Sequence, residues 1–190
     1  MIKIGFIPVM FLITAVWIII RIFCAKKNNG VDPYREVQLL TVFICVSVIV
    51  RFTFFPWYTV DGLIQPLVFD PARMFPLRLN LDPFVHLFDE YEMAPFNLYG
   101  NILLFIPVGL IWPFCFSRIN TWWKAVLAGA VFSLVIEILQ LPFFDRGTDI
   151  DDLITNTFGC MIGAGVWFLA KAYIQRHGRM TVMSKNSGKV

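Results

Sequence analysis

Charge is scarce in this 190-residue chain. Lysine, arginine, aspartate and glutamate make up 15% of it, and histidine occurs twice. Soluble domains carry about 25% charged residues, so the surface such a domain needs is missing. Cysteine is sparse too: Cys24, Cys45, Cys115 and Cys160 fall singly in or beside apolar runs, with no C-x-x-C spacing. This argues for buried thiols over disulfides or metal ligands, so no metal and no cofactor is expected. Internal repeats and low-complexity tracts are absent, and nothing points to nucleic-acid binding.

What the chain has in quantity is apolar. Hydrophobic residues make up 58%, with twenty phenylalanines. Long apolar runs cover 4–23, 37–55, 101–117, 122–141 and 153–174. Each is near the length of about 20 residues that crosses a hydrocarbon core. The reading is an all-α integral membrane protein, a bundle of about five transmembrane helices in one domain over residues 1–175. Residues 176–190 read as a basic, disordered cytoplasmic tail near anionic lipid. The first run is too long for a signal-peptide core and lacks a small-x-small cleavage site, so it is expected to stay as a helix.

Basic residues set the orientation. Arg21, Lys26, Lys27 and Arg35 follow the first run, Arg118 and Lys124 separate the third and fourth, and Lys171, Arg176, Arg179, Lys185 and Lys189 follow the fifth. The opposite face has Lys3, Arg73, Arg78 and Arg146, with Arg51 inside the second run. The amino terminus is therefore expected outside a bacterial cytoplasmic membrane and the carboxyl terminus inside. Residues 56–100 form a long outer connection containing Pro56, Pro66, Pro71, Pro76, Pro83 and Pro95, which rules out a long continuous helix. Its short apolar pieces, "LIQPLVF" and "PFVHLF", are expected to lie in the interface or re-enter shallowly.

Polar residues within the runs are few and share faces. On a helix of 3.6 residues per turn, Gly129, Ala130, Ser133, Glu137 and Gln140 share one face of the fourth run. Asp152, Asn156, Gly159 and Gly163 share one face of the fifth. Gly159 and Gly163 have G-x-x-x-G spacing, which lets backbones approach closely, so these two faces are expected to meet. The fourth helix should end at Leu141, before Pro142, and the fifth should begin near Asp149 to Asp151, where a carboxylate caps free amides. Arg51 and Glu137 lie at similar depth below Pro56 and Pro142, and are expected to pair, because an isolated charge in the membrane costs on the order of 3 kcal/mol. Asn101 opens the third run at the same level. Arg51, Asn101, Glu137, Gln140, Arg146, Asp149, Asp151, Asp152 and Asn156 thus form one candidate outer-leaflet cluster.

At these residues the sequence resembles the VanZ-like family of bacterial membrane proteins, over most of residues 45–167. The blocks that carry the resemblance are "FPW", "LNLDPF", "NILLFIPVGLIWP", "SLVIEILQ" and "DRGTDIDDLITNTFGCMIGAGV". Family members show an asparagine opening an N-x-x-L-F-x-P-x-G span, then E-x-x-Q, an arginine, D-x-D-D and N-x-x-G. Here these are Asn101, Pro107 and Gly109, then Glu137 and Gln140, Arg146, the carboxylates of Asp149, Asp151 and Asp152, and Asn156 with Gly159. Asp82 departs from the pattern, where an apolar residue is expected. The resemblance implies a role in the bacterial envelope, connected through the founding member to protection against teicoplanin, a glycopeptide with a lipid tail.

Three readings of the cluster stay open. Buried polar groups can simply fix helix register. The favoured reading is a site for an amphiphile, either a lipoglycopeptide antibiotic or an envelope precursor, with membrane lipid as the other partner. The alternative is an intramembrane hydrolase or transferase on a lipid-linked substrate, using Glu137 or one of the aspartates as general base. Ser133 has no identifiable base, and His86 is the one histidine expected on the outer side.

Overall fold

The computed structural model describes residues 1–28, 30–56, 58–70, 72, 79–83, 94–144 and 146–187, and only the backbone at 79, 94–96 and 178–187. Five helices dominate: α1 (Phe6–Lys27), α2 (Pro33–Phe54), α3 (Ala94–Cys115), α4 (Trp122–Gln140) and α5 (Ile150–Ser187). All five are long and apolar enough to cross a membrane, α5 over Ile150–His177. The chain is a predominantly helical, multi-pass membrane protein.

Local chemistry sets the helix ends. Asp32 caps α2 by accepting from the Tyr34 amide at 3.0 Å, and Pro33 follows at the first helical position, where its missing N–H costs nothing. Asp149 does the same for α5, accepting from the Asp151 amide at 2.9 Å. α3 starts two turns before the expected Asn101, because Pro95 falls in its first turn and is no obstacle there. Residues 176–187, expected as a disordered tail, continue α5 as helical backbone.

The tightest packing joins α3 to α5. A Cβ built on Gly159 would overlap the carbonyl of Ile102, and one on Gly163 the carbonyl of Ile106. From the other side, a Cβ on Gly109 would overlap the carbonyl of Cys160. The three glycines therefore let two backbones touch. The α4 and α5 faces meet as expected, through Ser133 and Asn156 and through Gly129 against the Cys160 thiol, but Gly159 and Gly163, expected in that contact, lie against α3 instead. Cys45, Ile49, Phe105, Val108, Ile136 and Cys160 form the apolar centre.

α1 stands apart, with no buried residue. Its sides expose Ile7, Phe11, Leu12, Ile19 and Phe23, a surface suited to lipid tails. Contacts that hold it to α2 and its end include Trp17 on Phe43, Phe6 edge-on to Phe55 and beneath the Arg51 guanidinium, and an ion pair from Arg21 to Glu36.

Short strands cover the end of the bundle where α2 and α4 finish and α1 and α5 begin. β1 (Ile2–Ile4) pairs antiparallel with β4 (Leu67–Phe69). Phe143 bridges to Phe69, and the Phe144 amide donates to the Val68 carbonyl at 2.8 Å. β2 (Thr59–Val60) and β3 (Leu63–Ile64) form a hairpin whose turn residues, Asp61 and Gly62, have φ of 53° and 74°. Two-residue hairpins of the kind that matches strand twist need positive φ at both positions, and Asp-Gly supplies it. β5 (Leu79–Asn80) runs parallel to β6 (Thr148–Asp149). Of the two apolar loop pieces, "LIQPLVF" is this strand structure. "PFVHLF" lies outside the described residues except at Pro83.

Candidate functional site

Beneath the strand cap lies a cavity of about 180 Å³ lined by Phe52, Thr53, Asn97, Asn101, Glu137, Gln140, Arg146, Gly147, Asp152 and Asn156. Helices α2, α3, α4 and α5 all contribute. Six of the nine expected cluster residues therefore share one wall: Asn101, Glu137, Gln140, Arg146, Asp152 and Asn156.

Each is oriented by a bond to the scaffold. Gln140 donates its Nε2 to the Thr53 carbonyl at 2.6 Å, joining α4 to α2. Asn156 donates its Nδ2 to the Ser133 hydroxyl at 2.9 Å, and Asn101 donates to Asp152 Oδ1 at 2.6 Å. Arg146 reaches from the α4–α5 connection to the Phe54 carbonyl, Nε to oxygen 3.0 Å. Glu137 accepts the Asp149 amide on Oε2 at 3.1 Å, while Thr148 donates its hydroxyl to the Glu137 carbonyl at 2.9 Å. Buried polar groups are costly unless bonded, so these bonds hold the wall in place.

Two acceptors are left over. Gln140 Oε1 and Asn156 Oδ1 are buried and have no hydrogen-bond partner among the described residues. Their residues are 5% and 1% exposed, yet both line the cavity. In each amide the nitrogen is engaged by the scaffold and the oxygen is spare.

The other three expected residues take different places. Asp149 is structural: Oδ1 caps α5, and Oδ2 accepts from Asn80 at 3.1 Å, tying β5 to β6. Asp151 is buried and does not line the cavity. Arg51 is outside it as well, donating Nη1 to the carbonyls of Phe55 at 3.2 Å and Pro56 at 2.9 Å. The expected Arg51–Glu137 pair does not form. A helix C-terminus leaves orphan carbonyls with partial negative charge, and an arginine one turn back satisfies them without crossing to another helix. Ser133 is committed to Asn156, and His86 lies outside the described residues. Among those residues, no three histidine, cysteine or carboxylate side chains converge to hold a metal ion.

Reading the sequence alone misses Asn97, Phe52, Thr53 and Gly147. Asn97 lies one helical turn before Asn101, a spacing that becomes visible only when α3 is known to start at Ala94. Asn97, Asn101 and Phe52 also line a larger cavity of about 500 Å³ between α2 and α3. The rest of its wall is mostly apolar, including Ile44, Val48, Leu103, Leu104 and Ile111. Three residues thus belong to both spaces, and an apolar groove lies beside a polar chamber.

Residues 39–171, which run from within α2 to within α5 and include every described residue lining this chamber, match the family model described as VanZ/LLP1. The chain belongs to the VanZ/LLP1 family. It is also 35% identical over 98 residues to Protein VanZ of Enterococcus faecium, a stretch that covers 52% of this chain and 57% of that protein. The chain thus spans little more than half of that relative. No solved structure matches it. The VanZ/LLP1 match begins after α1, so the peripheral helix lies outside the matched region.

Proposed function

We propose that this VanZ/LLP1 protein binds an amphiphile of the bacterial envelope, with its polar head in the chamber and its tail along the α2–α3 groove. The observation that carries the reading is the junction of the two spaces at Phe52, Asn97 and Asn101. An apolar space of about 500 Å³ is large enough for an alkyl chain, and a polar one of about 180 Å³ for a compact head. A site needed only to fix helix register would have no reason to open onto a groove of that size. Lipid tails surround the helices, so a ligand can enter from the bilayer with its chain never leaving apolar surroundings.

The positive-inside count supports placing the chamber at the outer face, where a lipid-tailed antibiotic or an envelope precursor resides. Teicoplanin, which the family resemblance brings forward, has the required tail; its glycopeptide head far exceeds about 180 Å³, so its tail would take the groove while the head stays at the chamber mouth. The test is binding to the chain reconstituted in phosphatidylcholine nanodiscs, with protein-free discs subtracted. Teicoplanin should bind and tailless vancomycin should not. Val48→Trp, which fills the groove from its lipid side, should weaken binding by about tenfold or more, or about 1.4 kcal/mol. Equal binding of both compounds, or an unaffected Val48→Trp protein, would sink the proposal.

A further inference from the structure

The hydrogen bonds of the chamber restrict the head group it can take. Gln140 and Asn156 turn their nitrogens to Thr53 and Ser133, leaving two buried amide oxygens unpartnered at the wall. Glu137 and Asp152 each use one carboxylate oxygen on a scaffold donor, from Asp149 and Asn101. Their second oxygens have no protein hydrogen bond among the described residues. Four oxygens from α4 and α5 are therefore available to accept. The one cation of the lining among the described residues, Arg146, has Nε on the Phe54 carbonyl. Asp149 and Asp151, like Arg146, lie close enough to Asp152 to act on it electrostatically, so among the described residues carboxylates outnumber guanidinium around the chamber.

Leaving buried acceptors unbonded is costly, and a ligand that supplies donors recovers that cost. Hydrogen bonds from an ionised donor to such oxygens are roughly twice as strong as neutral ones. An anionic head would meet four oxygens placed to accept rather than donate. We infer that the chamber receives a head group that donates hydrogen bonds and carries positive charge: a primary ammonium at the end of an apolar chain. This rests on the amphiphile reading above and adds the chemistry of the head. An ammonium has three donors and fits within about 180 Å³, roughly the volume of six water molecules.

Four probes with the same dodecyl tail test it on the full chain in phosphatidylcholine nanodiscs: dodecylammonium, dodecyltrimethylammonium, dodecyl maltoside and dodecyl sulfate. Dodecylammonium should bind about tenfold tighter than the trimethyl analogue, which keeps the charge and lacks the donors, and dodecyl sulfate should bind most weakly. Asp152→Asn and Gln140→Met should erase that preference. Thermal unfolding identifies any variant too damaged to use, and the comparison among probes on the unaltered chain stands without them. Equal binding of the two cations, or tightest binding of the maltoside, would overturn the assignment while leaving an amphiphile site intact. Absence of binding by all four would overturn both.

Discussion

The Arg51 guanidinium folds over the end of its own helix and donates to the Pro56 carbonyl at 2.9 Å. Glu137 meanwhile rests on the backbone of Asp149. The two charges are thus satisfied separately. Arg51→Leu and Glu137→Leu should each lower folded yield, and the double mutant should equal their sum within about 0.5 kcal/mol in a thermal or denaturant series. Partial rescue in the double mutant would show a direct coupling.

The α3–α5 contact predicts a sharp contrast between glycines on one helix. Gly159→Val and Gly163→Val push a side chain into the carbonyls of Ile102 and Ile106, and should cost at least about 1–3 kcal/mol of stability. Gly165→Ala meets nothing nearer than the Trp122 indole at 4.0 Å and should be neutral. Melting temperatures in detergent compare them directly, and a tolerated Gly159→Val would mean that the helices stand further apart.

Ser133 should prove structural. Its hydroxyl holds the Asn156 amide at 2.9 Å in a fully buried position. Ser133→Ala leaves that donor unsatisfied at about 1–3 kcal/mol, whereas Ser133→Thr keeps the hydroxyl. Ligand binding should follow stability across the two variants. Loss of binding in a Ser133→Ala protein of unchanged melting temperature would assign the hydroxyl a direct role.

Orientation has its own check. β1 pairs with β4, and α1 and α2 lie between them, so two crossings place both strands on one face. Five crossings place residue 187 on the other. In a background without the four native cysteines, Asp70→Cys should react with an impermeant thiol reagent on intact cells and Ser187→Cys should not. The reverse pattern would put the chamber at the cytoplasmic face.

In a susceptible Gram-positive host, producing the chain should raise tolerance to teicoplanin more than to vancomycin. Glu137→Gln and Asp152→Asn keep shape and remove charge, and should abolish the effect at equal membrane abundance. Full activity from both would reduce the carboxylates to scaffold.

Length and hydropathy made the five spans readable in the sequence, and the capping preferences of Asp149 and Pro142 located the ends of α4 and α5. Helical period also gathered Glu137 with Gln140 and Asp152 with Asn156, because side chains one turn apart must share a face. It could not say which neighbour that face meets. Gly159 and Gly163 therefore went to α4 when they belong against α3, and matched depth sent Arg51 to Glu137 when nearer carbonyls were on offer. The β2–β3 hairpin was written in the Asp61-Gly62 pair, a local signal that went unused among the prolines. The β1–β4 pairing had no such signal, since its strands are three residues each and more than sixty residues apart.

That pairing imposes an order on biogenesis. When α1 enters the bilayer, the strand that will anchor its head has not been synthesised. At about 5–20 residues per second, β4 follows β1 by several seconds. During that interval α1 is a lone hydrophobic rod, tolerable because its whole perimeter already suits lipid. The amino-terminal clasp therefore closes only after α2 has been threaded, and the first strand synthesised waits for a partner more than sixty residues behind it.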